Sequence, residues 1–175
     1  VYGILLENTA NPAGFFGTLS GGTIKNLGIR DSFLYQDDSL AKNPTVGAIV
    51  GEDRMASSIT NCYNTATVVV NGNRAYQAYA AGIAGMGGEY MGEGTPVISK
   101  CYNVGYIKVT QKNWSANNGG IGCHAAGISA GDRITIDSCY NRGYIFSSNL
   151  GNQTYAYGIG RNAKNSYHAG MIDIT

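Results

Sequence analysis

The chain has 175 residues, a net charge of +1 and only 13% charged side chains, so it has no large field of one sign and a nucleic-acid partner is not expected. Its 26 glycines and 13 tyrosines, with only 3 prolines, exclude collagen and proline-rich linkers and favour a turn-dense β protein. No apolar run reaches the roughly 18 residues that a membrane-spanning helix needs, so membrane insertion is not expected either.

The chain opens on a short apolar segment, residues 1–6, and then turns at Asn11-Pro12. A short glycine-containing anchor follows and recurs along the chain. Its five copies lie at residues 13–17, 48–51, 81–85, 126–130 and 157–160. The Gly-Ile-x-Gly form of this anchor predicts a strand in each repeat.

A second anchor, Ile-x-x-Cys-Tyr-Asn-x-Gly-x-Ile, occupies residues 98–107 and 136–145, and residues 59–68 without its glycine. Degenerate copies lie at residues 24–29 and 164–172. Two aligned sets of positions predict ladders of side chains: Leu27, Cys62, Cys101, Cys139 and Ser166, and Asn64, Asn103 and Asn141. At constant offsets further on lie Phe33 and Tyr35 in the first copy, which we therefore expect to be in register with Val68 and Val70 of the next copy.

Constant offsets joined by segments of variable length are typical of stacked coils. We predict an all-β fold, a right-handed parallel β-helix or β-solenoid of about five coils with three short strands each. Residues 1–175 are interpreted as a single β-solenoid repeat domain that is part of a longer protein, because both ends interrupt the pattern without a polar cap. Adjoining domains or like subunits are then expected at the solenoid ends, and the joins at residues 86–97, 111–122 and 149–156 are expected to be surface loops.

The cysteine positions are interpreted as free, buried thiols, because parallel neighbours in register direct their Cβ atoms side by side and fit a disulfide poorly. Cys123 lies in another segment and is a candidate surface thiol. Neither the cysteines nor the two histidines have zinc-ligand spacing, so no metal and no cofactor is expected. The asparagines are expected to hydrogen-bond to one another along the axis, ending at His168.

Candidate catalytic groups are few. A role for His168 as a base is not favoured, and Cys123 and His124, adjacent on a strand, should point to opposite faces and not form a nucleophile pair. The recurrent pairs Asp53-Arg54 and Asp132-Arg133 are expected to be solvated surface pairs. No catalytic residue is predicted, and the chain is not expected to be an enzyme.

Tyrosines form further predicted stacks, at Tyr63, Tyr102, Tyr140 and Tyr167 and at Tyr106 and Tyr144. Packing that shields the backbone is one explanation. The other is ligand contact, because an aromatic ring face covers the apolar face of a sugar. Candidate ligand contacts are Tyr106 and Tyr144, with Trp114 and Tyr90 on loops.

The two anchors together resemble the repeats of bacterial cell-surface proteins known as GLUG-motif proteins, in a Cys-Tyr-Asn-x-Gly variant. The resemblance covers about residues 13–172, and the first copy, residues 14–27, is the most similar. Members of this family are typically large and secreted or wall-attached. The resemblance therefore implies an extracellular or cell-surface location and an adhesion or matrix role, with no shared active site.

Three functions follow as hypotheses. The first is a non-catalytic extracellular repeat module of a bacterial surface protein, an adhesin or stalk that binds glycan or extracellular protein. The second is a polysaccharide-processing β-helix enzyme, which would need two carboxylates about 5 to 10 Å apart in a cleft. The third is a self-assembling fibre or pilus-like subunit, suggested by the uncapped ends.

Overall fold

The computed structural model describes residues 1–8, 10–39, 43–72, 77–87, 94–112, 122–150 and 153–175. These residues form short strands, β1 to β23, joined by turns. None of the described segments is a helix able to cross a membrane.

The strands follow one another around successive coils. Strand β1 (Leu5–Glu7) precedes coil 1, which contains β2 (Phe16–Ser20), β3 (Thr23–Lys25), β4 (Gly28–Ile29) and β5 (Phe33–Asp37). Coil 2 contains β6 (Thr45–Gly47), β7 (Val50–Arg54), β8 (Ser58–Thr60), β9 (Tyr63–Asn64) and β10 (Thr67–Gly72). Coil 3 contains β11 (Gln77–Ala81), β12 (Ala84–Gly87), β13 (Val97–Ser99), β14 (Tyr102–Asn103) and β15 (Ile107–Gln111). Coil 4 contains β16 (Gly122–Ala126), β17 (Thr135–Asp137), β18 (Tyr140–Asn141) and β19 (Ile145–Asn149), and coil 5 contains β20 (Gln153–Tyr157), β21 (Ala163–Lys164), β22 (Tyr167–His168) and β23 (Ile172–Ile174).

Each strand pairs in parallel with the equivalent strands of the coils before and after it. The sheets have the orders β1-β5-β10-β15-β19-β23, β6-β11-β16-β20, β2-β7-β12, β3-β8-β13-β17-β21 and β4-β9-β14-β18-β22. This arrangement confirms the predicted all-β parallel solenoid. Its right-handed winding stays a prediction.

A full coil contains five strands where the sequence predicted three. The Ile-x-x-Cys-Tyr-Asn segment is divided in two by a residue in the left-handed conformation, such as Asn61 (φ 54°) or Lys100 (φ 53°). An additional strand, β11 in coil 3, precedes the Gly-Ile-x-Gly anchor. A full coil therefore has five short strands, with a sharp turn immediately before Cys62, Cys101 and Cys139.

The core consists of inward-pointing side chains that repeat from coil to coil. Ile59, Ile98 and Ile136 are in register in one sheet, and all three are fully buried. Val68, Ile107 and Ile145 are likewise in register in another sheet and fully buried. Removing such apolar area from water is the main driving force for folding, at about 25 cal/mol per Å².

The register of coil 1 corrects one prediction. Val68 pairs with Leu34, which is buried, whereas Phe33 is 40% exposed and pairs with Thr67. Coil 1 has one more residue than coil 2 before this strand, and a one-residue slip moves every side chain to the opposite face. Phe33 and Tyr35 therefore lie on the outer surface, where their rings stack 6.5 Å apart.

The predicted loop at residues 149–156 is also corrected, because β20 begins at Gln153 and pairs with β16. The other two joins fall largely at residues 88–93 and 113–121, outside the described residues.

Candidate ligand-binding surface

The repeated cysteines form a column of buried, free thiols. The backbone N–H of Cys62 donates to the Sγ of Cys101 at 3.3 Å, and the N–H of Cys101 donates to the Sγ of Cys139 at 3.4 Å. The N–H of Cys139 donates to the Oγ of Ser166 at 3.0 Å. Hydrogen bonding with Cys139 and Cys62, together with burial, raises the pKa of Cys101. The sulfur atoms of Cys101 and Cys139 therefore already have hydrogen-bond partners inside the fold. Leu27 is half-buried in coil 1, where it packs against the core.

The asparagines form a second column. The Nδ2 of Asn64 donates to the Oδ1 of Asn103 at 2.8 Å, and the Nδ2 of Asn103 donates to the Oδ1 of Asn141 at 2.7 Å. Asn141 is hydrogen-bonded in turn to the Nδ1 of His168 at 2.9 Å. Each asparagine oxygen also accepts the N–H two residues further on, as at Gly105 (3.1 Å). This column stabilises the turn in each coil, and His168 is its last member.

The predicted tyrosine stacks are present, but their geometry limits what they can bind. Tyr63 and Tyr102 stack with ring centroids 4.9 Å apart, and Tyr106 and Tyr144 stack at 5.3 Å with their planes 9° apart. The two ring faces that meet in such a pair cover each other, and all four of these tyrosines are half-buried. Only Tyr167, at the end of its column, is as much as 58% exposed. A sugar therefore cannot stack on the shared faces of Tyr106 and Tyr144. The other two candidates, Trp114 and Tyr90, lie outside the described residues.

A different aromatic stack lies on the outer face of β11, β16 and β20. His124 lies between Tyr79 and Tyr155, with ring centroids 4.6 and 4.8 Å away. Burial lowers the pKa of His124 to about 4, so the ring is neutral at pH 7. Within the part of the chain that the structure describes, its Nδ1 has no hydrogen-bond partner.

Cys123, next in the chain to His124, points to the other side of β16. Its thiol donates to the carbonyl oxygen of Ser148 at 3.3 Å and to the Oε1 of Gln111 at 3.5 Å. The expectation of a surface thiol is wrong, because Cys123 is fully buried, and that burial raises its pKa to about 12. The two side chains point apart, so the geometry does not form a Cys-His nucleophile.

Arg161 links the aromatic stack to coil 4. Its Nε donates to the hydroxyl oxygen of Tyr157 at 2.6 Å, and its Nη1 donates to the Oδ2 of Asp132 at 2.9 Å. The guanidinium also lies 5.0 Å from the ring centroid of Tyr155. The carboxylate of Asp132 is thereby held toward coil 5.

Two clefts meet at Asp132 and Arg133 and together form what we call the Arg133 groove. The first has a volume of about 360 Å³ and is also lined by Gln77, Tyr79, Met86, Gly87 and Gly131. The second has a volume of about 450 Å³ and is also lined by Thr95, Ile134, Thr135, Asn162 and Lys164. Both volumes fall in the range of about 300–1,000 Å³ that is common for ligand sites.

The two Asp-Arg pairs occupy different environments. Asp53 is fully buried, because its register with Leu19 and Gly87 turns it inward, where it accepts a hydrogen bond from the Oγ of Ser57. Burial raises the pKa of Asp53 to about 6. The expectation of a solvated pair is therefore wrong for Asp53, whereas Asp132 and Arg133 are exposed.

Arg54, which follows Asp53 in the chain, bonds to the carboxylate of Glu52 at 2.6 Å. Among the described lining residues of the Arg133 groove, Asp132 is the single carboxylate. The described residues also include no cluster of three His, Cys, Asp or Glu side chains placed to bind a metal ion.

Sequence reasoning did not identify the Arg133 groove. The Asp132-Arg133 pair drew attention, but its neighbours Gln77, Thr95 and Asn162 belong to other coils and carry no recurrent motif. One signal was present, the alternation of aromatic side chains at Tyr155 and Tyr157, which indicates an outward-facing aromatic strand.

Comparisons of the chain with family models, curated proteins and solved structures found no match. Function is therefore inferred from the geometry of the surface itself.

Proposed function

We propose that this chain is a non-catalytic β-solenoid module of an extracellular bacterial surface protein, an adhesin or stalk whose outer surface binds glycans. The observation that carries the proposal is the Arg133 groove. The conspicuous Cys and Asn motifs have their hydrogen bonds within the fold, whereas polar side chains such as Thr135 and Gln77 line an open groove. The Oε1 of Gln77 accepts a hydrogen bond from the hydroxyl of Tyr79 at 2.5 Å, so its Nε2 is the group that it offers to a ligand. Such groups, beside the edge of an aromatic ring, are suited to the hydroxyl groups of a sugar.

A binding role is favoured over hydrolysis by the charges in the groove. Hydrolysis of a glycosidic bond ordinarily requires two carboxyl groups, one on each side of the bond. Asp132 is one carboxylate, and its Oδ2 is paired with Arg161 at 2.9 Å. The described residues that line the groove include no second carboxyl group to complete such a pair.

The proposal is tested by screening the purified chain on a glycan array. We expect binding to a restricted set of glycans, and a several-fold loss when Gln77→Ala and Thr135→Ala are introduced together. The double variant Tyr106→Ala/Tyr144→Ala, with folding checked by circular dichroism, serves as the control and should retain binding. Silence across the array would contradict glycan binding, and shortening of a bound glycan on incubation would favour the enzyme hypothesis instead.

Self-assembly into a fibre is a second candidate, favoured by the apolar side chains of the terminal strands. Leu5 in β1 is 69% exposed and Ile174 in β23 is 53% exposed. In the described structure, each of these strands has a paired neighbour on one side only. An unpaired parallel edge is a template for another strand. Sedimentation over a concentration series tests this candidate, and a strict monomer at high concentration would contradict it.

A further inference from the structure

We infer that the Arg133 groove selects acidic saccharides, glycans that carry a carboxylate such as a uronic or sialic acid, and that Arg133 binds this carboxylate. The inference rests on the proposed glycan-binding function and deepens it by naming the ligand class. It is carried by the balance of charge in the groove and by the place of Arg133 between the two clefts.

The charge balance leaves cations available to a ligand. Asp132 is the carboxylate among the described lining residues, and the Nη1 of Arg161 lies 2.9 Å from its Oδ2. Neither Arg133 nor Lys164 lies within ion-pair distance of a carboxylate in the described ranges of the chain. The described lining of the groove therefore offers two cations without a carboxylate partner and no unpaired carboxylate, an arrangement that attracts an anionic ligand.

The position of Arg133 suits a carboxylate attached to a sugar chain. Arg133 is exposed and lines both clefts, so a ligand that extends from one cleft to the other must pass its guanidinium. A guanidinium binds a carboxylate through two parallel N–H···O bonds, which fixes the orientation of the ligand as well as its charge.

The rest of the lining favours a saccharide over an acidic peptide. Gln77 in one cleft and Thr135 in the other supply an amide N–H and a hydroxyl group on the two sides of Arg133. The Nδ2 of Asn162 donates to the carbonyl oxygen of Asp132, so its Oδ1 is the acceptor that it offers. The described lining of the two clefts is mostly polar or glycine, with Tyr79, Met86 and Ile134 as its apolar side chains.

Arg161 has a positioning role in this scheme. Its bonds to Tyr157 and Asp132 keep the carboxylate of Asp132 directed toward coil 5. Without Arg161, Asp132 would be free to pair with the adjacent Arg133 and compete with the ligand. Arg161→Gln is therefore expected to weaken the binding of an acidic glycan, and Asp132→Asn added to that variant is expected to restore it.

The test uses an array of sialic-acid- and uronic-acid-containing oligosaccharides, each beside the same oligosaccharide with its carboxyl group reduced to an alcohol. We expect acidic members to bind at least about tenfold more tightly than their reduced partners, since a hydrogen bond to a charged group contributes about 1.5–3 kcal/mol. Arg133→Gln should remove this preference and Arg133→Lys should retain part of it. Arg142→Gln, on an exposed turn of another face, should leave it unchanged.

The outcomes separate the two proposals. Binding of acidic and reduced members with equal affinity, or an equal loss in Arg142→Gln, overturns the acidic-saccharide inference while glycan binding stands. Silence across the whole array overturns both. A glutamate-rich peptide of matched charge that binds as tightly as the oligosaccharides overturns the assignment to saccharides. Failure of the Asp132→Asn addition to restore binding overturns the role of Arg161.

Discussion

At the scale of the residue, the direction of the cysteine N–H in each repeat depends on the residue before it, which has a left-handed conformation. Lys100 (φ 53°) and Ser138 (φ 54°) turn the chain, so the N–H of the following cysteine points to a side chain of the next coil. The thiol of Cys139 accepts one such N–H, and the hydroxyl of Ser166 accepts the next. Tolerance of leucine or serine was predictable from the repeat. The acceptor role was not, because neither lysine nor serine signals a left-handed conformation.

Replacing Cys101 distinguishes a hydrogen-bond acceptor from a space-filling thiol. Cys101→Ala leaves the N–H of Cys62 unpaired in the core and creates a small cavity, so we expect the free energy of unfolding to fall by about 2–4 kcal/mol. Cys101→Ser keeps an acceptor, as Ser166 does, and should cost about 1 kcal/mol. Urea unfolding measures both. Equal losses would show that the hydrogen bond contributes nothing.

The buried carboxyl of Asp53 predicts an unusual dependence of stability on pH. Burial holds the pKa of Asp53 at about 6 in the folded protein, against an ordinary value of 3.8, so folding favours the protonated form. This contribution is complete below about pH 4 and is lost as the pH rises through about 6. The loss of this contribution should make the free energy of unfolding about 2–3 kcal/mol lower at pH 8 than at pH 4.

Asp53→Asn tests that dependence, because asparagine is uncharged and its Oδ1 can still accept from Ser57. The variant should match the wild type at pH 4 and exceed it in stability at pH 8, as measured by unfolding at both values. Asp31→Asn, at an exposed turn, is the matched control and should show no such difference. A variant that is no more stable at pH 8 would contradict the assignment.

At the scale of the element, the extra residue of coil 1 shows where a repeat pattern stops being informative. The Oγ of Ser32 accepts the N–H of Ile4 at 3.0 Å and donates to the carbonyl oxygen of Arg30 at 2.6 Å, which fixes the additional residue in place. Phe33 and Leu34 are both apolar, so the sequence alone offers no reason to prefer one as the inward residue. The parallel pairing of the later coils was predictable, because their spacing is constant.

The asparagine column predicts a gradient of stability along the axis. Asn103 bonds to asparagines of both neighbouring coils, whereas Asn64 bonds only to the coil after it, since Ile29 takes its place in coil 1. Asn103→Ala should cost about 3–5 kcal/mol, from the unpaired groups it leaves at Asn64, Asn141 and Gly105. Asn64→Ala should cost about 1 kcal/mol less. Denaturant titration of the two variants measures this, and the reverse order would contradict an axial network.

At the scale of the whole molecule, the Arg133 groove exists only because three coils are stacked. Its lining comes from β11 and β12 in coil 3, from the turn before β17 in coil 4, and from coil 5 around β21. Residues so far apart in the chain share no local motif, so the sequence predicted the scaffold and not the site. The same stacking makes Tyr106 and Tyr144 cover each other's facing ring faces, whereas ligand contact at the rest of these rings stays a prediction.

The two terminal strands predict how the isolated chain behaves at high concentration. If the open edges of β1 and β23 pair with one another, sedimentation should show mass rising with concentration, because unpaired backbone groups and exposed apolar side chains are covered together. Ile174→Lys places a charge on one edge and should abolish the association. Val104→Lys adds the same charge on the side of the solenoid, where Val104 is 43% exposed, and should leave it intact. Equal effects of the two variants would assign any association to net charge and not to the strand edges.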